Sequence, residues 1–261
     1  MSGAVEAPLV SGPQPLVEYL IARQGVPARR GLAYDYVVAG DGVFLAAENE
    51  LLSVRVPVAR ARLRGLSPAY AECSLKHGRL RFQLWEQILA VARDLGAAGN
   101  EVLVAIEHDT RTGYRLCLPR QVVGPTHVTY VPGSDGAVVL ELHSHHRYPA
   151  RFSATDDADE QRLCLYGVVG RLNDARPHVA LRAGAYGHFL PVPWETVFAG
   201  GPAACAAIWD SYYDLAAGDR DDPQCRNGEA DGGSKAEEAT YGDEELELAG
   251  DANEASGNGA P

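Results

Sequence analysis

Two histidines two positions apart, followed across a short loop by a serine and an aspartate, constrain this chain more than any other feature. The stretch is Glu141-Leu142-His143-Ser144-His145, and Ser153-Ala154-Thr155-Asp156 comes next. On an extended strand residues i and i+2 project from one face, so His143 and His145 present both rings to the same side. Two imidazoles on one face hold a borderline-soft cation such as zinc. Asp156, eleven residues beyond His145, is close enough to return as a third ligand. Three protein ligands with a fourth position left to water are the pattern of a catalytic rather than a structural zinc. The fold must therefore set the end of a strand against the start of a helix. Ser153-x-x-Asp156 is itself a helix-start signal, because an N-cap serine and an acid three residues on satisfy free backbone donors.

The flanking sequence supplies such elements. Leu80, Leu84, Ile88 and Val91 recur at helical spacing, which predicts a helix over 80–97, stopped by Gly96, Gly99 and Asn100. Val102–Ile106 reads as a strand, and His108–Gly113 as a hairpin turn into Tyr114–Leu118. Val128–Val131 and Ala137–Leu142 read as a pair joined by Pro132–Gly136, with the two histidines at the far end. A helix is expected from Ser153 toward Leu165, then strands over 166–172, 179–185 and 188–192. Further upstream, Tyr34–Ala39 and Val43–Ala47 flank Gly40-Asp41-Gly42 as a hairpin, and Leu52–Val58 alternates as another strand.

The intervals His143-Ser144-His145, then seven residues, then Ser153-x-x-Asp156 resemble the signature of the JAB/MPN (JAMM) zinc metallopeptidase family. The resemblance covers roughly residues 78–200. Ala154–Glu160 and Leu190–Glu195 look most like its bacterial PRTRC-system branch, whose members accompany gene cassettes with a ubiquitin-activating-like protein. The family places a glutamate at the start of an earlier strand, after a helix, and Glu101 holds that position, 42 residues before His143. Val104 stands where the family usually has glycine, so Glu107 remains a rival for the base, and His146 stands where proline is usual. The resemblance implies an α/β (α+β) sandwich with a mixed sheet flanked by helices. It implies Zn2+ held by His143, His145 and Asp156, with Glu101 as general base and then acid, and Ser153 donating to an oxyanion. That set describes hydrolysis of an amide in a protein or peptide substrate, possibly ubiquitin-like. Two other readings stay open: a non-catalytic scaffold of the same fold, and a metal-dependent hydrolase of another bond.

Glu141, two before His143, is either a hydrogen-bond partner for a ligand imidazole or a buried edge residue. His146 is expected to face solvent, and His188 and Trp194 to pack.

The expected organisation is a disordered N-terminus over 1–15, an accessory β-rich region over 16–77, the metallopeptidase-like domain over 78–213, and a disordered acidic tail over 214–261. The net charge of −12 sits almost wholly in that tail. Residues 219–261 carry 13 acids against 3 bases, while residues 1–218 carry 22 against 20. A nearly neutral body gives no basic nucleic-acid surface. The block Asp243–Leu248 mixes acids with leucines and reads as solvated tail. Five cysteines, none in a C-x-x-C pair, argue against a disulfide framework. With no apolar run of about 18 residues and no basic, apolar leader at Met1–Glu6, no membrane association and a cytoplasmic location are expected.

Overall fold

The structure is a computed structural model and describes residues 14–125, 127–131, 137–201 and the backbone of 239–241. The expectations for residues 1–13, for the 132–136 turn and for most of the acidic tail, including Asp243–Leu248, fall outside the described residues.

The chain opens with five strands: β1 (Val17–Ile21), β2 (Tyr34–Ala39), β3 (Gly42–Glu48), β4 (Leu52–Arg60) and β5 (Glu72–Leu75). They lie side by side in sequence order, β1 parallel to β2 and the rest antiparallel. In β2 each second residue is buried, the pattern of a sheet with one face on the core. One of those inward positions is Asp35, fully buried. Its carboxylate accepts from the backbone N–H groups of Arg30 and Gly31 and faces the Arg29 guanidinium at 3.4 Å. Those partners satisfy a charge that would otherwise be costly to bury.

A short strand β6 (Leu80–Arg81) then leads into helix α1 (Phe82–Leu95). Leu84, Trp85, Ile88 and Ala92 form its buried stripe. A 3₁₀ turn over Gly96–Ala98 follows, and Gly99 ends it at φ +85°, a left-handed conformation that favours glycine. That turn delivers Asn100 and Glu101 to the start of β7 (Leu103–Asp109).

The remaining strands are β8 (Gly113–Cys117), β9 (Gln121–Val123), β10 (Val128–Tyr130), β11 (Val138–Ser144), β12 (Cys164–Gly170), β13 (His178–Ala185), β14 (His188–Pro191) and β15 (Phe198–Ala199). Helix α2 (Ala154–Asp159) lies between β11 and β12, and α3 (Trp194–Val197) follows β14. A six-stranded mixed sheet runs β14-β13-β12-β11-β7-β8, with β11 and β12 parallel and the other neighbours antiparallel. A parallel pair needs a crossover, and the loop and α2 between β11 and β12 supply it.

One apolar core joins the two large sheets. Leu45, Leu52 and Val56 of the first meet Ile106, Leu140, Leu165 and Leu181 of the second, with Trp85 and Ile88 of α1 in the same cluster. The architecture is the expected mixed α+β sandwich.

Three expectations need correction. The hairpin of 128–131 with 137–142 does not form. β10 pairs instead with β9, and β11 lies between β7 and β12. All seven residues of β11 are buried, so it takes a central place, whereas β10 alternates between exposed and half-buried and stays peripheral. The helix after Ser153 stops at Asp159, because it has no apolar stripe and buries no residue. Within the tail expected to be disordered, Ala239–Tyr241 forms a strand, β16, antiparallel to β9. A free strand edge presents unpaired donors and acceptors that take a segment by its backbone, whatever its composition.

Candidate metal centre

His143 is the penultimate residue of β11, and His145 follows immediately after the strand. The backbone N–H of His145 donates to Val169 O at 2.7 Å, so it remains tied to β12. The two Nε2 atoms face each other at 3.2 Å. His143 Nε2 lies 3.5 Å from Asp156 Oδ1, and His145 Nε2 lies 3.9 Å from Glu101 Oε1. Ligand atoms of His143, His145 and Asp156 all lie within 4.8 Å of one another, the one such cluster among the described residues.

Both imidazoles are prepared as lone-pair donors. Burial pushes His143 below the ordinary imidazole range, with the neighbouring His145 and Arg182 adding to the shift and Asp156 opposing it. Burial also lowers His145. His145 Nδ1 donates to Pro149 O at 3.2 Å, which leaves its Nε2 lone pair directed into the cluster. The loop that brings Pro149 there rests on Gly170, where an added Cβ would meet Tyr148 O at 2.1 Å and Ala150 N at 2.6 Å. His146 turns the chain at φ +42°. Proline, locked near −65°, cannot adopt that conformation.

The helix-start reading and the ligand reading of Ser153-x-x-Asp156 hold together. Asp156 Oδ2 accepts from the Ser153 N–H at 2.6 Å and from its hydroxyl at 2.8 Å, while Ser153 Oγ accepts from Asp156 N at 3.2 Å. This capping box spends one carboxylate oxygen on the turn and leaves Oδ1 facing His143.

Glu101 sits beside the cluster. Burial, reinforced by the charge of Asp156, raises its carboxyl to about 7. Its backbone N–H donates to Gly124 O at 2.8 Å. Glu107 is elsewhere, held by Arg115 at 2.7 Å, and does not line the cavity. Glu141 does line it, but its partners are Tyr130 and Arg162 rather than a ligand imidazole. His146 is half-buried, with Cδ2 3.6 Å from where a Cβ on Gly96 would lie, and stands outside the ligand cluster. Trp194 packs against Trp85 and Phe198 in the core.

Sequence reasoning missed three supporting residues. Ser144 is fully buried. Its hydroxyl accepts from Val102 N at 3.0 Å, and its own N–H donates to Val102 O at 2.9 Å, tying the ligand strand to the residue after Glu101. The Gln121 side-chain amide accepts from Leu103 N and donates to Leu103 O, both at 2.9 Å, as a strand backbone would. Arg182 is a charged residue in the otherwise apolar run His178–Ala185. An arginine at a buried strand position is a signal that it has partners.

The cluster opens on a cavity of about 380 Å³, bounded also by Thr129, Tyr130, Thr155 and Tyr166. Two neutral imidazoles, one free carboxylate oxygen and open space beside them suit a divalent cation with room for another ligand.

Residues 91–184 match the family of prokaryotic homologs of the JAB domain. That span contains Glu101, the histidine pair and Asp156, and it supports a JAB/MPN-type domain in this part of the chain. No curated protein matches the chain. No helix among the described residues is long and apolar enough to cross a membrane.

Proposed function

We propose that the chain is a zinc-dependent metallopeptidase or isopeptidase that hydrolyses an amide bond in a protein or peptide, within a ubiquitin-like or small-protein processing system. The observation that carries this reading is the convergence of His143, His145 and Asp156 beside an independently positioned carboxyl, Glu101, at an open cavity.

His143, His145 and Asp156 would hold the ion. When bound, zinc polarises the scissile carbonyl and brings the pKa of water near neutrality. Glu101, whose carboxyl is already raised toward neutrality by burial, accepts a proton from the attacking water and returns it to the leaving amine. Ser153 turns its hydroxyl from Asp156 Oδ2 to the developing oxyanion, while Asp156 keeps the Ser153 backbone N–H. The C–N bond breaks, and the acyl part leaves as a carboxylate. The resemblance to the PRTRC-system branch supports a small-protein partner as substrate.

The test is hydrolysis of peptide and isopeptide substrates by zinc-loaded protein, beside Glu101→Gln. Turnover in the wild type that is lost in Glu101→Gln, with zinc retained, supports the reading. A wild type that binds zinc and a protein partner but cleaves nothing would make the domain a scaffold.

A further inference from the structure

Helix α2 carries Asp156, yet it has six residues and buries none of them. A helix this short has little stability of its own, and hydrophobic packing does not hold this one. Asp156 and Asp157 suit its first turn, but Asp159 and Glu160 add negative charge at its C-terminal end, where the helix dipole opposes it. Asp156, Asp157, Asp159 and Glu160 fall within five positions, and the charges of Asp156 and Asp157 both act on Glu160. Something outside the helix must fix where Asp156 stands.

Arg182, on β13, meets that need from two directions. Its guanidinium lies between two rings, 3.8 Å from the centroid of Phe152 and 3.7 Å from that of Phe189. Phe152 directly precedes the N-cap Ser153, and Phe189 is on β14, so the stack joins the entrance of α2 to the sheet. Nε donates to Glu160 Oε2 at 2.7 Å and Nη1 to Asp157 Oδ1 at 2.5 Å, while Nη2 stands 2.6 Å from the same Glu160 oxygen without a hydrogen-bond geometry. The Arg182 and Glu160 side chains are 7% and 11% exposed, so their contact is little screened, whereas Asp157 faces solvent. Both ends of α2 are thereby held by one side chain rooted in the strand next to β12.

We propose that Arg182 is the positioning residue of the metal centre, clamping α2 between Phe152 and the sheet so that Asp156 Oδ1 meets the two imidazoles. The proposal rests on the metal-site reading above. A planar fork with two faces for stacking is required, and lysine offers neither.

The experiment measures zinc affinity of the full chain by chelator competition, together with the visible spectrum of the cobalt(II)-loaded protein. Proteins compared are the wild type, Arg182→Met, Arg182→Lys, Asp156→Asn and Arg182→Met/Asp156→Asn. Arg29→Met serves as a control that removes the partner of buried Asp35 far from the site. Loss of a residue that orients a ligand weakens metal binding by about 10–100-fold. Arg182→Met is expected to fall in that range, with Arg182→Lys recovering only part of it and the cobalt bands moving toward those of Asp156→Asn. Acting through Asp156, the same change is expected to cost less than about two-fold in the Asp156→Asn background. Arg29→Met lowers the melting temperature and leaves zinc affinity unchanged. Should Arg182→Met not fold, Arg182→Lys carries the same comparison in both backgrounds. Zinc affinity equal to wild type in the folded Arg182 variants, or an equal loss with and without Asp156, overturns the proposal while leaving the metal site intact. A wild type that takes up no zinc removes the metal-site reading and this one with it.

Discussion

The two large sheets share an apolar core but differ in what else they bury. Among the described residues of the five-stranded sheet region, one polar or charged side chain is buried, Asp35, and its partners close a loop of its own sheet. The other seven buried polar residues lie between Asn100 and Arg182, after the five-stranded sheet and helix α1. Four of them, Gln121, His143, Ser144 and Arg182, belong to the candidate metal cluster or contact the segments beside it. Buried polar groups are expensive unless paired, so their concentration between positions 100 and 182 marks where geometry has been specified beyond packing. The first sheet is a packing layer with one buried carboxylate, Asp35. The second carries the candidate metal cluster.

Four experiments break or sharpen that contrast. The largest effect is expected from Glu101→Gln, which keeps the shape and removes the proton acceptor. The rate of amide hydrolysis should fall by about 100- to 10,000-fold with zinc content unchanged. Full turnover in this variant would move the base elsewhere. In the other sheet, Asp35→Ala takes the acceptor from the buried backbone donors of Arg30 and Gly31 and removes one partner of Arg29, which keeps Gly31 O, Ala33 O and Glu48. It should cost about 3 kcal/mol in chemical denaturation without altering zinc affinity. A drop in zinc affinity would show that the two sheets are not separable in role.

The third effect is a pH dependence of the metal-free protein. Burial raises the folded-state carboxyl of Glu101 to about 7. The unfolded chain therefore releases this proton first as pH rises. The stability tied to the protonated group is fully present below about pH 4.5 and is lost as pH climbs through about 7. Glu101→Gln should remove this loss, so the stability gap between variant and wild type widens by about 2 kcal/mol between pH 4.5 and 8. A constant gap would contradict the burial of this carboxyl. The smallest effect is Gly170→Ala, which pushes against the Tyr148–Ala150 backbone and displaces Pro149 O from His145 Nδ1. Zinc affinity should drop about ten-fold, readable by the same chelator competition.

The convergence of His143, His145 and Asp156 was legible because the three are close in sequence and strand periodicity places the histidines together. The place of Glu101 beside the cluster was legible from its position after a helix and before a strand, but that Glu107 lies elsewhere, on Arg115, needed the fold. The partner of β11 was not legible. Any apolar strand can pair with its neighbour in sequence, and only burial on both faces places β11 between β7 and β12. The end of α2 was missed because a strong start signal says nothing about how far a helix runs once its apolar stripe is absent. Arg182 lies 26 positions from Asp156. Its role emerges only when the fold brings β13 and β14 beneath the helix.

The most direct test of the central claim is zinc content of the purified protein by elemental mass spectrometry, beside His143→Ala/His145→Ala. If the proposed site is correct, the wild type carries about one zinc per chain and the double variant none. A wild type without zinc, even after zinc is supplied, would contradict the metal centre and with it the hydrolytic reading.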